Sequence, residues 1–111
     1  MQDCVFCKIA AHQMESDMLF ENDRLMVIRD ILPKAPVHIL VIPKEHIISI
    51  NELEETNAAM VSEMIMTAKQ QAKEQGIDQS GYKLVFNVGK DGGQIIPHLH
   101  LHVMGGKNLG E

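Results

Sequence analysis

Two hydrophobic periods alternate along this chain, and the points where one gives way to the other mark its elements. Residues 18–21 and 25–29 are strand-like, with Asn22-Asp23 supplying the turn of a hairpin. Pro33 and Pro36 interrupt the pattern. HILVIP (38–43) resumes it as a third strand, closed by a proline that cannot continue a ladder. Asn51 is placed to cap a short helical turn, with Glu54 three residues on as its capping-box partner. Helical periodicity follows over residues 56–75, where Met60, Val61, Met64, Ile65, Ala68 and Ala72 fall within an arc of about 140°. Ala59 and Met66 lie on the opposite side, and Gly76 stands where such a helix stops. YKLVFNVG (82–89) returns to alternation as a fourth strand, with Tyr82, Leu84, Phe86 and Val88 on one face and Asn87 on the other. HLHLHVM (98–104) is the fifth strand.

Five strands with one long helix between the third and fourth imply an α+β fold built on an antiparallel sheet. At 111 residues the chain is expected to form a single domain, 1–111. A net charge of −5 without a Lys/Arg cluster argues against a duplex nucleic-acid partner. No apolar run approaches the roughly 18 residues of a membrane span. The opening MQDCVFCKIA lacks a signal-peptide pattern, so a cytoplasmic location is expected.

The fifth strand carries the candidate chemistry. Alternation sends Leu99, Leu101 and Val103 into the core and sets His98, His100 and His102 in a row on the other face, repeating about every 6.6 Å. Three readings compete: a solvated face that happens to be histidine, a shared cation, and nucleophilic catalysis. No acidic residue lies close in sequence to complete a catalytic metal site. A neutral imidazole attacks phosphorus well when its other ring nitrogen is held by an acceptor, and flanking histidines can donate to phosphate oxygens. The preceding turn favours phosphate, because Gly89, Gly92 and Gly93 let backbone N–H groups approach an anion closely.

The two cysteines, Cys4 and Cys7, form one CxxC. It is a redox pair, half a metal site, or two inert thiols. A redox reading wants a strand ahead of the motif, and only three residues precede Cys4. Zinc would need two further ligands, and histidines are available.

CVFCKI, FENDRLMVIRDILPKAPVHILVIPKEHI, NVGKDGGQ and HLHLHVMGG together resemble the histidine triad nucleotide-binding proteins, whose signature alternates histidine with apolar residues. The likeness runs almost end to end and is greatest to the Hint branch. It implies an α+β fold with a five-stranded antiparallel sheet, one long helix and a short helix, and a homodimer whose two sheets join. It implies hydrolysis of purine nucleoside phosphoramidates, such as adenosine 5′-monophosphoramidate, with purine nucleotides as partners and no cofactor needed for catalysis. His100 matches the nucleophile that forms a nucleotidyl-histidine, His102 the phosphate contact, and His38 a further active-site histidine. Asp30 matches the carboxylate that holds the ribose, Asn87 a phosphate-side amide, and Gly93 belongs to the phosphate turn. Val5, Phe6, Ile9, Ile28 and Ile31 match the apolar slot around the base.

The same resemblance to members with a zinc-binding CxxC implies structural zinc held by Cys4, Cys7, His46 and His98. His12 matches nothing and is expected in solvent. Two departures bear on activity. Ile95 stands where many members carry Ser or Thr, and it cannot donate to a leaving group. The chain ends at GGKNLGE and has no tryptophan, so the leaving-group contribution of a longer tail is expected to be missing or different. Two other readings follow from these features: a purine nucleotide-binding protein with little catalysis, and a dinucleoside polyphosphate hydrolase.

Overall fold

A computed structural model describes residues 3–111. The strands are β1 (Met18–Glu21), β2 (Leu25–Arg29), β3 (Val37–Pro43), β4 (Tyr82–Val85) and β5 (Leu101–Gly105). They form one antiparallel sheet in the order β1-β2-β3-β5-β4. The helices are α1 (Val5–Ala10) and α2 (Ala59–Glu74), with a 3₁₀ turn at Ile50–Glu52.

Alternation along the central strands divides their apolar residues between two cores. Leu25, Val27, Ile39, Val41, Leu101 and Val103 face α2, where Met64, Ala68 and Ala72 close the packing. Met26, Ile28, Leu40 and Ile42 face the other way, onto Phe6 and Ile9 of α1. Both sides of β2 and β3 are therefore dry, which explains their continuous apolar runs.

Several elements differ from the sequence reading in extent. The long helix begins at Ala59, because residues 55–58 are turn, and it lacks a side-chain cap. Ile65, expected inside, is exposed, and Gln71 takes a buried place on the stripe instead. The 3₁₀ turn is capped by Ser49 rather than Asn51: its Oγ accepts from the Asn51 N–H at 3.1 Å and donates to Glu52 at 2.6 Å. A hydroxyl two residues upstream of Asn51 satisfies the free N–H first. Gly76 ends α2 with φ +75°, as expected of a helix stop.

Periodicity does not reveal α1, since six residues are too few to show a helical period; it is present as the short helix that the family resemblance implies. Cys4 caps it, its sulfur accepting from the Cys7 N–H at 3.4 Å. β4 stops at Val85, so Phe86–Val88 lie outside the ladder, and β5 starts only at Leu101. The backbone before it bonds elsewhere: the Leu99 N–H donates to the Ile47 carbonyl and the His98 N–H to the Ile96 carbonyl. The alternation of the histidine segment nevertheless persists through the bend, with Leu99 in the α2-side core and His98 against Phe6.

Candidate active site and metal centre

The α1 face of the sheet carries two adjoining clusters of side chains, and His98 and His100 link them. His38 enters from β3, Asp30 from the end of β2, and His102 from β5, directly across one strand spacing from Leu40. The ring nitrogens of His38 and His102 and the Asp30 carboxylate lie within 4.8 Å of one another.

Hydrogen-bond partners decide where each proton sits. The Lys34 N–H donates to His38 Nδ1 at 3.0 Å, so His38 holds its own proton on Nε2. That Nε2–H faces His102 Nδ1 at 2.9 Å and Asp30 at 3.3 Å. His102 therefore accepts at Nδ1 and keeps N–H at Nε2. The same proton on His38 rules this trio out as a metal set, because a protonated nitrogen has no lone pair to give. His100 Nδ1 lies 2.6 Å from the His98 carbonyl, which can only accept, so His100 Nδ1 donates and its Nε2 lone pair is free.

All these rings favour the neutral form. Burial lowers His38 against the opposing pull of Asp30, and burial lowers His100 in spite of its bond to the His98 carbonyl. His102 is lowered to about 4, first by burial and then by His100 and His38. An unprotonated Nε2 at neutral pH is what attack on phosphorus requires.

The glycine turn is braced by side-chain hydrogen bonds. Asn87 Nδ2 donates to the Gly92 carbonyl at 2.8 Å, and Gly93 turns with φ +79°. Gln94 accepts from the Gly89 N–H at 3.0 Å and donates to the Ile48 and Ile96 carbonyls at 2.7 and 3.1 Å. Gln94 and the Lys34 N–H were not singled out by sequence, because hydrogen bonds within and between loops, such as Lys34 N–H to His38 and Gln94 to the distant Ile48 carbonyl, leave no hydrophobic period to read. Ile95, 89% exposed, lines an open groove with Ile48, Gly93 and Pro97.

The residues of the expected apolar slot differ in burial. Phe6, Ile9 and Ile28 are interior, Val5 is half-buried against them, and Ile31 stands 90% exposed. His12 is exposed as expected, with Nε2 against Glu21 at 2.8 Å.

The second cluster brings together Cys4, Cys7, His46 and His98, whose ligand atoms all lie within 4.8 Å of one another. Cys4 Sγ is 3.3 Å from His98 Nδ1, Cys7 Sγ 3.1 Å from His46 Nδ1 and 3.6 Å from His98 Nδ1. Zn–S and Zn–N bonds at a tetrahedral angle put ligand atoms roughly 3.6 Å apart, so the set fits that ion. His98 is fully buried, and its Nε2–H donates to the Pro43 carbonyl at 2.7 Å, leaving Nδ1 as the lone pair that faces the sulfurs. Burial and the neighbouring Cys4 sulfur push the Cys7 thiol up, so a thiolate pair here calls for a cation.

Comparison with known proteins agrees with this geometry. A model of the family described as "Scavenger mRNA decapping enzyme C-term binding" matches residues 3–110. The solved structure of a HIT family hydrolase from Clostridium thermocellum superposes with a TM-score of 0.97 at 41% identity, covering 100% of this chain and 96% of that one. The chain belongs to the histidine triad (HIT) family. Among HIT relatives, the purine nucleoside phosphoramidase of Escherichia coli K12 is 36% identical over 109 residues, 98% of this chain and 92% of that protein. A Zn-bound histidine triad family protein from Mycobacterium smegmatis has a TM-score of 0.81 at 29% identity, covering 97% of this chain and 76% of that one. The HIT fold is thus an α+β sheet with one long helix and one short one.

Proposed function

We propose that this protein is a purine nucleoside phosphoramidate hydrolase that works through His100. The observation that carries the reading is the bond from His100 Nδ1–H to the His98 carbonyl, which leaves Nε2 unprotonated in a neutral ring. The relationship to the E. coli phosphoramidase supports the substrate class.

In the first step Nε2 attacks the α-phosphorus, the P–N bond breaks, and the amine departs with a proton. In the second, water attacks the nucleotidyl-histidine, the nucleoside monophosphate leaves, and the neutral imidazole is restored. Over the two steps one water supplies the proton on the amine and the hydroxyl on the phosphate. His102 donates from Nε2 to a phosphate oxygen, and His38 fixes the tautomer that makes this donation available. Asp30 holds the ribose hydroxyls; Asn87 and Gly93 shape the phosphate side of the site. Val5, Phe6, Ile9, Ile28 and Ile31 are the base-side set implied by family likeness.

Cys4, Cys7, His46 and His98 hold zinc in a structural role, tying α1 to the histidine segment. The whole chain acts as one domain in the cytoplasm, and the protein is a homodimer joined through the free edge of β4. A second reading, nucleotide binding with little catalysis, draws on one observation: Ile95 brings no donor to the turn.

The test is turnover of adenosine and guanosine phosphoramidates against diadenosine polyphosphates, with His100→Ala as the control. Loss of the nucleophile should lower the rate by about 10⁴-fold or more. Wild-type turnover in His100→Ala would end the proposal, and AMP binding without turnover in the native protein would favour the second reading.

A further inference from the structure

The bond that fixes the proton of His100 ends on a peptide unit with a second anchor. The His98 carbonyl accepts from His100 Nδ1–H at 2.6 Å, and the N–H of the same unit, that of Leu99, donates to the Ile47 carbonyl at 2.6 Å. A trans peptide is planar, with its C=O and N–H pointing in opposite directions. Whatever holds the Leu99 N–H on Ile47 therefore also aims the carbonyl at His100. Ring contacts do not replace this aim. The ring centroids of Phe6 and His102 lie 5.1 and 5.0 Å from that of His100. Such edge packing limits tilt, but a ring turned over fills the same space, and only the carbonyl tells its two edges apart.

Neither side of the Leu99–Ile47 bond belongs to the sheet, because β3 ends at Pro43 and β5 begins at Leu101. Gln94 joins the two sides. Its Nε2 donates one proton to the Ile48 carbonyl at 2.7 Å and the other to the Ile96 carbonyl at 3.1 Å. The Ile96 carbonyl also accepts from the His98 N–H at 2.8 Å, which closes a γ-turn about Pro97. The bridge thus grips one segment next to Ile47 and the other at the turn that leads into the His98–Leu99 peptide. Gln94 Oε1 is engaged separately, accepting from the Gly89 N–H at 3.0 Å. One amide has two tasks: an acceptor inside the glycine turn, and donors that tie two distant segments together.

We infer that Gln94 is a positioning residue for His100: its donors tie Ile96 to Ile48 and so hold the His98–Leu99 peptide, whose carbonyl fixes the His100 tautomer. The inference rests on the assignment of His100 as nucleophile. Without the bridge the peptide turns on its Ile47 bond, and the carbonyl no longer faces Nδ1. The proton is then shared with Nε2, the nitrogen that attacks. An Nε2 that carries hydrogen has no lone pair to give, and the fraction that keeps one is misdirected, so kcat falls.

Two measurements on the same proteins test this: steady-state kinetics with adenosine 5′-monophosphoramidate, and two-bond nitrogen–proton NMR of ¹⁵N-histidine-labelled protein. In the native protein His100 should show a single Nδ1–H tautomer. Gln94→Glu keeps an acceptor for the Gly89 N–H but has no donor for Ile48 and Ile96. It should lower kcat roughly 10–100-fold and mix the His100 tautomers. Gln94→Met, of similar length and uncharged, should do the same, which separates the lost donors from an added charge. Ser49→Ala removes the cap beside Ile48, whose hydroxyl bonds to Asn51 and Glu52. It should lower thermal stability while leaving kcat and the His100 signal as they are. A single Nδ1–H signal in the Gln94 variants would overturn the inference even if kcat fell, because Gln94 would then act by another route. Mixed tautomers with native kcat would also overturn it, as would an equal change in Ser49→Ala. Should one Gln94 variant fail to fold, the other decides. Full turnover in His100→Ala would instead remove the nucleophile assignment, whereas native turnover in Gln94→Glu beside an inactive His100→Ala would remove this inference alone.

Discussion

Each of His38, His98, His100 and His102 has one ring nitrogen committed to a fixed partner, and those partners assign all the protons of the site. The sequence places the rings on one face; it says nothing about their tautomers, which depend on the Lys34 N–H, the Pro43 carbonyl and the His98 carbonyl. The burial that keeps them neutral carries a cost in acid. An ordinary imidazole protonates near about 6.5, whereas His102 does so at about 4 in the folded chain. Between these values the unfolded chain binds a proton that the folded chain refuses. Stability from this source is therefore complete above pH ~6.5 and drains away as pH falls toward 4. Burial depresses His38 in the same direction. Urea midpoints should drop between about pH 7.5 and about pH 5, and His102→Gln should flatten the drop. A midpoint that holds steady in the native protein would contradict the account.

Among the elements, the glycine turn shows how a loop is held in one shape. Gly92 sits so close to the chain that an added Cβ would overlap the backbone carbonyl of Val88, which has no flexible end to move aside. Gly92→Ala should cost about 1–3 kcal/mol in denaturant titrations, with a shifted midpoint and an unchanged slope. Equal stability of the variant would show that the turn can open at Val88. Sequence marks the turn through its glycines, but the brace from Gln94 to Ile48 joins residues that only folding brings together. α1 escapes a pattern-based reading for a similar reason, since its single turn and a half is held by the sheet and the cysteine cluster. β4 is legible only as far as Val85, because the ladder partner it would need beyond that point has bent away toward Ile47.

On the scale of the whole molecule, the sheet buries both sides of its central strands but leaves β4 at an edge. Leu84 points to the core side there and is still 38% exposed, while Ile65 and Met66 are exposed on α2. An unpaired edge with exposed apolar residues is suited to a second copy. The homodimer is expected in sedimentation of the native protein, and Leu84→Lys should shift it to monomer; an unshifted dimer would place the interface elsewhere. Zinc is expected at about one equivalent per chain in protein purified without added metal. Chelation should lower the unfolding temperature, since zinc held by these four residues would join α1 to the sheet. Metal-free protein with freely alkylated Cys4 and Cys7 would reject the site. Among the described residues no helix is long and apolar enough to cross a membrane.

The order of apolar and polar residues determined the strands, the long helix, and which side of the sheet each histidine takes, because side-chain direction follows local backbone geometry. Family likeness then marked candidate ligands and a candidate nucleophile by position. Tertiary structure alone decided which nitrogen carries each proton, that Phe6 presses on His100, that Ile31 faces solvent, and that four residues from α1, the loop after β3 and the triad segment meet as one ligand set. The physical reason is common to all four. Each depends on how the assembled chain sets hydrogen-bond direction, ring packing and exposure, whether the partner stands two residues away, as the His98 carbonyl does from His100, or far along the chain, as Phe6 does. None of this leaves a period to read along the sequence.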